Sequence, residues 1–135
     1  MIWEGFYIMF KCTICTIGGT EYYLYFNVAA SVEIEKRFKD KGISEILFKD
    51  KKVDLDNESV IAEILIEQGE LARRFYGYDK GNFIKAEEIK QLIRPFEFAK
   101  LHGAVMYAVT LGYGKDEPGE KVVDIGLLEL EKKKK

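Results

Sequence analysis

The sequence lacks long hydrophobic runs and has no excess of charge of either sign. Its longest uninterrupted apolar stretches are only a few residues, whereas a helix needs about 20 to cross a bilayer. The 21 lysines and arginines are balanced by 23 aspartates and glutamates, and both signs are interleaved along most of the chain. Nucleic-acid-binding proteins instead concentrate basic residues on one face. We therefore predict neither a membrane span nor a nucleic-acid partner.

Histidine and cysteine are scarce, which limits the chemistry available. His102 is the only histidine, which excludes a paired-histidine metal site and argues against a catalytic triad. Its place beside an apolar helical stripe predicts a position at the edge of the core. Cys12 and Cys15 have the C-x-x-C spacing of zinc and redox sites, but a pair in mid-strand directs its side chains to opposite faces. We predict two structural thiols and no catalytic, cofactor-binding or metal-binding residues.

No targeting segment is predicted at the start of the chain. Residues 1–11 are apolar but carry no basic leading segment, and no small-residue cleavage site follows them. Two cysteines in a chain with 47% hydrophobic residues also suit a reducing compartment, since the core needs no disulfide. We expect an unprocessed cytoplasmic protein.

The strongest local signal is the Gly18-Gly19 pair inside a run of β-branched and aromatic residues. Two glycines supply the positive φ that a two-residue hairpin turn requires. The pattern predicts a β-hairpin over residues 6–26. Its second strand places three residues on the face predicted to enter the core: Tyr22, Leu24 and Phe26.

Helical spacing of apolar residues follows the hairpin. It predicts four helices, at about residues 28–40, 57–76, 86–94 and 96–111. Asn27 is the predicted cap of the first, which should stop near Gly42, and Asp56 or Asn57 is the predicted cap of the second. A short helical turn at 44–48 and a brief extended piece at 53–55 are expected between them.

The predicted fold class is therefore α+β, with an N-terminal hairpin followed by a bundle of about four helices. Residues 1–114 form the predicted domain. Residues 115–135 have the composition of a linker and a flexible tail, with Pro118, Gly119 and four final lysines.

The long second helix carries apolar residues around more than half of its circumference, so it must be widely buried or must contact a partner. Gly69 inside it indicates a kink or a close backbone contact. A small apolar cluster follows the linker and needs a surface to dock on. The candidate protein-binding residues are Ile61, Leu65, Leu71, Phe75, Leu127, Leu128 and Leu130, and self-association is the alternative use of the same residues.

Asp54-Leu-Asp56-Asn-Glu58 looks like the opening of a calcium loop. However, Ser59 stands where that loop needs glycine, and Leu65 stands where it needs a bidentate glutamate. Helix capping is the preferred interpretation.

The order of elements, together with two short motifs, resembles the tail assembly chaperones of long-tailed bacteriophages and related prophages. In that family a strand pair of the form Ile-Gly-Gly-x-x-Tyr-x-Leu-x-Phe leads into a helix with Glu-Lys. Residues 17–26 read Ile-Gly-Gly-Thr-Glu-Tyr-Tyr-Leu-Tyr-Phe, and Glu35-Lys36 follows. The resemblance covers residues 10–112. It departs at 84–85, where Ile-Lys replaces the family's frequent Thr or Ser cap, and residues 1–8 are additional.

This resemblance implies a non-enzymatic chaperone that coats the tape-measure protein and helps recruit tail tube subunits in the host bacterial cytoplasm. It also implies two product lengths made by a translational frameshift, for which the lysine codons of residues 132–135 are a candidate slippage site. Two alternatives remain open at this point: a structural head-tail connector subunit, and a small enzyme with an acidic cleft.

Overall fold

The structure, a computed structural model, describes residues 11–39, 41–49, 52–114 and 123–124. These residues form a three-stranded antiparallel sheet, a short two-stranded ribbon and five α-helices, which confirms the α+β class. The elements in chain order are β1 (Lys11–Ile17), β2 (Thr20–Leu24), α1 (Val28–Phe38), α2 (Ile43–Leu47), β3 (Phe48–Lys49), β4 (Lys52–Val53), α3 (Leu55–Phe75), α4 (Ala86–Leu92), α5 (Phe98–Gly112) and β5 (Val123–Asp124).

The hairpin of β1 and β2 turns where the sequence predicts. Gly18 and Gly19 have φ angles of 58° and 84°, and Ile17 pairs with Thr20 across the turn. The predicted core face is confirmed, since three side chains are buried: Tyr22, Leu24 and Phe26. Residues 6–10 of the predicted first strand lie outside the described part.

The second strand ends at Leu24 and does not continue to Phe26. The chain leaves the ladder there because the Tyr25 N–H donates to the Leu65 carbonyl of α3, at 3.0 Å. One turn further along α3, Gly69 lies directly against the Tyr23 carbonyl, where a Cβ atom would overlap it. Of the two possibilities predicted at Gly69, a kink or a close backbone contact, the structure shows the close contact, and it is with strand β2.

Helix α1 begins as predicted but ends early. The Asn27 Oδ1 atom accepts from the Ala30 N–H at 2.8 Å, which confirms the cap. The helix stops at Phe38, well before Gly42, because Lys39 adopts a left-handed conformation with φ of 42°. Its N–H still donates to the Glu35 carbonyl, at 2.9 Å.

Helix α3 begins two residues earlier than predicted. Asp54 is the cap, and neither Asp56 nor Asn57 has that role: the Asp54 Oδ1 atom accepts from the Asn57 N–H at 3.0 Å. The Asn57 side chain is used elsewhere, since its amide donates to the Ile46 carbonyl of α2 at 2.8 Å. The short helix and extended piece expected in this region are α2 and the β3–β4 ribbon.

The last two helices are shifted from their predicted bounds of 86–94 and 96–111. Helix α4 ends at Leu92, and a 3-10 turn over Pro95–Glu97 separates it from α5. Although no Ser or Thr precedes α4, its Ala86 N–H is satisfied by the Glu63 carboxylate of α3, at 2.8 Å.

The core lies between the sheet and helices α3 and α5. The Thr13 hydroxyl of β1 donates to the Ala104 carbonyl of α5 at 2.7 Å, which holds that helix on the sheet. Strand β5 pairs with the start of β1, with Lys11 opposite Asp124. Strand β5 lies within residues 115–135, for which the sequence predicted a linker and a tail and no strand. The fully buried side chains of α3 are Glu58, Ser59, Ile61, Ala62, Ile64, Leu65 and Ile66.

Candidate functional site

The candidate binding residues predicted on α3 separate into two groups. Ile61 and Leu65 are completely buried in the core, so they contact other parts of this chain and cannot form a surface. Leu71 and Phe75 are exposed, Phe75 at 81%. Leu127, Leu128 and Leu130 lie outside the described residues. Ile61 and Leu65 belong to the hydrophobic core instead, which is the wide burial that the apolar pattern of α3 also allowed.

Leu71 and Phe75 are four residues apart, so they lie on the same face of α3. Glu67, one turn earlier, is exposed on that face as well. The Phe75 ring meets the Tyr76 ring edge to face, with centroids 5.0 Å apart. This row is a narrow apolar strip with an acidic end.

A larger apolar feature lies at the other end of α3, and sequence reasoning did not find it. A groove of about 450 Å³ is formed where the first turns of α3, the end of α4 and the start of α5 meet. Its lining residues are Leu55, Asp56, Ser59, Lys90, Ile93, Arg94, Pro95 and Phe98. We refer to it as the apolar groove.

The local sequence explains why the groove is open. Pro95 has no backbone N–H, so the chain cannot continue α4 into α5 as one straight helix. The break leaves Ile93 and Phe98 on either side of a gap that α3 borders with Leu55, whose side chain is 56% exposed. Phe96, in the same break, is 79% exposed. Large apolar side chains therefore remain in contact with solvent at and beside the groove.

Ion pairs border the groove. The Lys90 ammonium lies 3.0 Å from the Asp56 carboxylate and 3.0 Å from that of Glu87, which links α4 to α3. These two carboxylates raise the pKa of Lys90. Arg94 pairs with Glu97 at 3.3 Å. Both signs of charge are present and largely paired, so apolar contact is the main interaction that the groove offers.

A buried pair of titratable groups adjoins the groove. The Glu58 side chain is completely buried, and its Oε1 atom lies 2.6 Å from Nδ1 of His102. Burial raises the pKa of Glu58, and the hydrogen bond and charge of His102 oppose that rise. His102 does flank the core, as predicted, but its partner is 44 residues away in sequence. The only feature of the sequence that could have indicated this pair is a glutamate at a core position of α3.

A second buried glutamate, Glu70, fastens the loop that follows α3. Its carboxylate accepts from Arg73 at 2.8 Å, from Arg74 at 2.7 Å and from the Gly81 N–H at 2.5 Å. Burial alone would raise the pKa of Glu70, but the donors of Arg74, Gly81 and Arg73 hold it below its usual value. The arrangement is a structural clamp between α3 and its loop.

The two cysteines are structural in their surroundings. Cys15 belongs to the main core, whereas Cys12 packs in a separate cluster with tyrosines of β2 and the loop after α3. Burial raises the pKa of the Cys15 thiol, and a raised pKa disfavours the reactive thiolate. Both side chains are buried, as predicted for structural thiols.

Asp54, Asp56 and Glu58 do not converge on one point, since they act as a helix cap, a partner of Lys90 and a partner of His102. Within the described residues, no three His, Cys, Asp or Glu side chains are grouped so as to hold a metal ion. None of the helices in that part of the chain is long and apolar enough to span a membrane.

Comparison with known proteins gives no matching family model, no matching curated protein and no matching solved structure.

Proposed function

We propose that this chain is a non-enzymatic tail assembly chaperone of a long-tailed bacteriophage or prophage. In this proposal it binds apolar helical surface of the tape-measure protein in the bacterial cytoplasm and helps recruit tail tube subunits. The sequence resemblance over residues 10–112 suggests the class. The structural observation that supports it best is the apolar groove with its exposed neighbours Leu55 and Phe96.

An open groove between helices suits a helical partner. Amphipathic helices bind such grooves through apolar anchors spaced three or four residues apart. A tape-measure protein exposes helical apolar surface until the tail tube encloses it, so a groove of this kind would cover that surface temporarily. Leu55, Ile93 and Phe98 would contact the anchors, and the paired charges of Lys90 and Arg94 would lie at the rim.

The groove also agrees better with a binding role than with an enzymatic one. Half of its eight lining residues are polar or charged, but their polar groups already have partners: Lys90 with Asp56, Arg94 with Glu97, and the Ser59 hydroxyl with the Leu55 carbonyl at 3.0 Å. Substrate chemistry requires polar groups that converge on one point. The groove instead offers apolar area, which suits reversible association with another apolar surface.

A substitution of Leu55 by aspartate tests the groove. Leu55 is the first residue of α3, where a negative charge is favourable to the helix dipole, so the fold should persist. We expect binding to recombinant tape-measure fragments from the same genome to weaken at least about tenfold, since one apolar anchor contributes roughly 1.5 kcal/mol or more. Isothermal titration calorimetry provides the measurement.

The matched control is Val32→Asp. Val32 is 48% exposed on α1 and does not line the groove. Its substitution should leave the affinity unchanged. Equal weakening by both variants, or none with Leu55→Asp, would reject the groove as the binding site.

Mass spectrometry of purified virions separates the chaperone from the connector alternative. A chaperone leaves before the particle is complete, whereas a connector subunit remains in it. We expect the chain in lysates of infected or induced cells and not in purified particles. A stoichiometric amount in particles would favour the connector.

A further inference from the structure

Glu58 is an unusual residue for the interior of a protein. Its side chain has no exposure to solvent, and only one of its two carboxylate oxygens has a partner. Oε1 is 2.6 Å from His102 Nδ1, while Oε2 is buried without a hydrogen-bond partner among the described residues. A buried carboxylate with one unsatisfied oxygen is costly when it is ionised. The stability of the fold therefore depends on whether Glu58 is protonated.

His102 is the only charged partner of Glu58 among the described residues. The ionisable groups nearby on α3 are engaged elsewhere, Asp54 as the helix cap and Asp56 with Lys90. On α5, the charge of Lys100 opposes the rise that burial causes in the pKa of the Cys15 thiol of β1. On α2, Glu45 accepts from the Gly42 N–H. On β4, Lys52 is exposed.

The aromatic ring of Phe48 covers His102 from the side of the β3–β4 ribbon. The two rings meet nearly at right angles, with centroids 5.5 Å apart. The His102 side chain keeps 24% of its surface exposed, whereas the Glu58 side chain has no exposed surface.

The pair does not line the apolar groove but is next to residues that do. Leu55 and Ser59 line the groove and lie within one helical turn of Glu58 on α3. Phe98 lines it from the other side and is one turn before His102 on α5. A change in the separation of Glu58 and His102 therefore moves both walls of the groove.

We propose that Glu58 and His102 form a proton-sharing pair that makes the junction of α3 with α5, and with it the apolar groove, sensitive to pH. When Glu58 is protonated, its buried side chain carries no charge and is hydrogen-bonded to His102. When Glu58 loses its proton, a buried carboxylate remains with one oxygen unsatisfied. The junction is then weaker and the groove wider or more mobile.

The direction of the effect follows from burial. The pKa of Glu58 is raised above 4.5, its value outside the folded protein, chiefly because burial disfavours the carboxylate. The stability that protonated Glu58 contributes is therefore complete below that value and is lost as the pH rises through the raised pKa. This inference concerns the chain alone and does not depend on the proposed partner.

The test compares the wild-type protein with Glu58→Gln, which keeps the shape and the hydrogen bond but cannot ionise. Between pH 4.5 and the raised pKa of Glu58, the unfolding constant of the wild type should rise by up to about tenfold per pH unit relative to the variant. Glu67→Gln, an exposed position on the same helix, is the matched control and should keep the wild-type profile. Urea unfolding across the pH range measures all three.

Nuclear magnetic resonance provides a second readout, because His102 is the only histidine and gives a single set of imidazole signals. In the wild type these signals and the amide signals of Leu55, Ser59 and Phe98 should shift together as Glu58 ionises. In Glu58→Gln that shared change should be absent.

Carboxyl-labelled glutamate in the wild type keeps the test decisive if the variant does not fold, because the Glu58 carbon then reports its own titration. Titration of Glu58 at an ordinary value would overturn the proposal. So would groove signals that respond to pH identically in the wild type and in Glu58→Gln.

Discussion

At the scale of single residues, two buried glutamates on helix α3 occupy opposite electrostatic environments. Glu58 has one partner, so burial dominates and its pKa is raised. Glu70 accepts three hydrogen bonds, two of them from arginines, so its pKa is lowered despite burial. The number and charge of the donors decide which form of a buried carboxyl group is stable.

Gly69 gives a prediction at the same scale. Helix propensity alone would make Gly69→Ala stabilising by up to about 1 kcal/mol. Because a Cβ atom at this position overlaps the Tyr23 carbonyl, we expect the variant to be destabilised by about 1–3 kcal/mol. Chemical denaturation measures the change in the free energy of unfolding.

The control is Gly103→Ala on α5, where a Cβ atom meets nothing within 4 Å. That variant should be neutral or more stable than the wild type. If Gly69→Ala behaves like Gly103→Ala, then the close contact between α3 and β2 is not tight in solution.

At the scale of elements, the starts of three helices each depend on a single side-chain oxygen. Asn27 and Asp54 cap α1 and α3 with their own side chains. Helix α4 borrows its cap from the Glu63 carboxylate of α3. Because this cap comes from α3, the stability of α4 depends on the packing of α4 against α3.

Lys39 provides a prediction for the end of α1. A lysine with φ of 42° is strained, because its Cβ atom crowds the backbone in the left-handed region. Lys39→Gly should therefore raise the free energy of unfolding by about 0.5–1 kcal/mol. Lys41→Gly, two residues along and without positive φ, should give no gain. Thermal unfolding of both variants measures the two changes. An equal gain in stability from Lys39→Gly and Lys41→Gly would contradict the assignment of strain to Lys39.

At the scale of the whole molecule, stability in acid depends on carboxylates held in their ionised form. The pKa of Glu70 lies below its usual 4.5, so its contribution is present at neutral pH and is lost as the pH falls through the lowered value. Glu58 acts in the opposite direction. The pH profile of stability is therefore the sum of opposed contributions from one helix.

Replacing Glu70 by glutamine tests the acid side of that profile. Near neutral pH we expect a loss of about 2 kcal/mol in the free energy of unfolding, since charged hydrogen bonds to two arginines and a backbone N–H are weakened. The difference from the wild type should shrink as the pH falls below 4.5. Urea titrations at several pH values measure it, and a difference that stays constant with pH would contradict the assigned direction.

The apolar groove is likewise a property of the whole molecule. Its lining comes from three helices and from the break at Pro95, so no stretch of sequence contains it. The apolar pattern of α3 allowed Ile61 and Leu65 to be either buried or part of a binding surface, and both are in the core. A helix with apolar residues around most of its circumference does not reveal which side its neighbours will cover.

Neighbouring residues in the sequence are enough to predict the turn at Gly18-Gly19 and the cap at Asn27, since each follows from backbone preference or from spacing within a few residues. Three other features come from the packing of elements far apart in the chain: the contact of Gly69 with Tyr23, the pairing of Glu58 with His102 and the opening of the groove. A local sequence pattern does not show which distant element will pack against it.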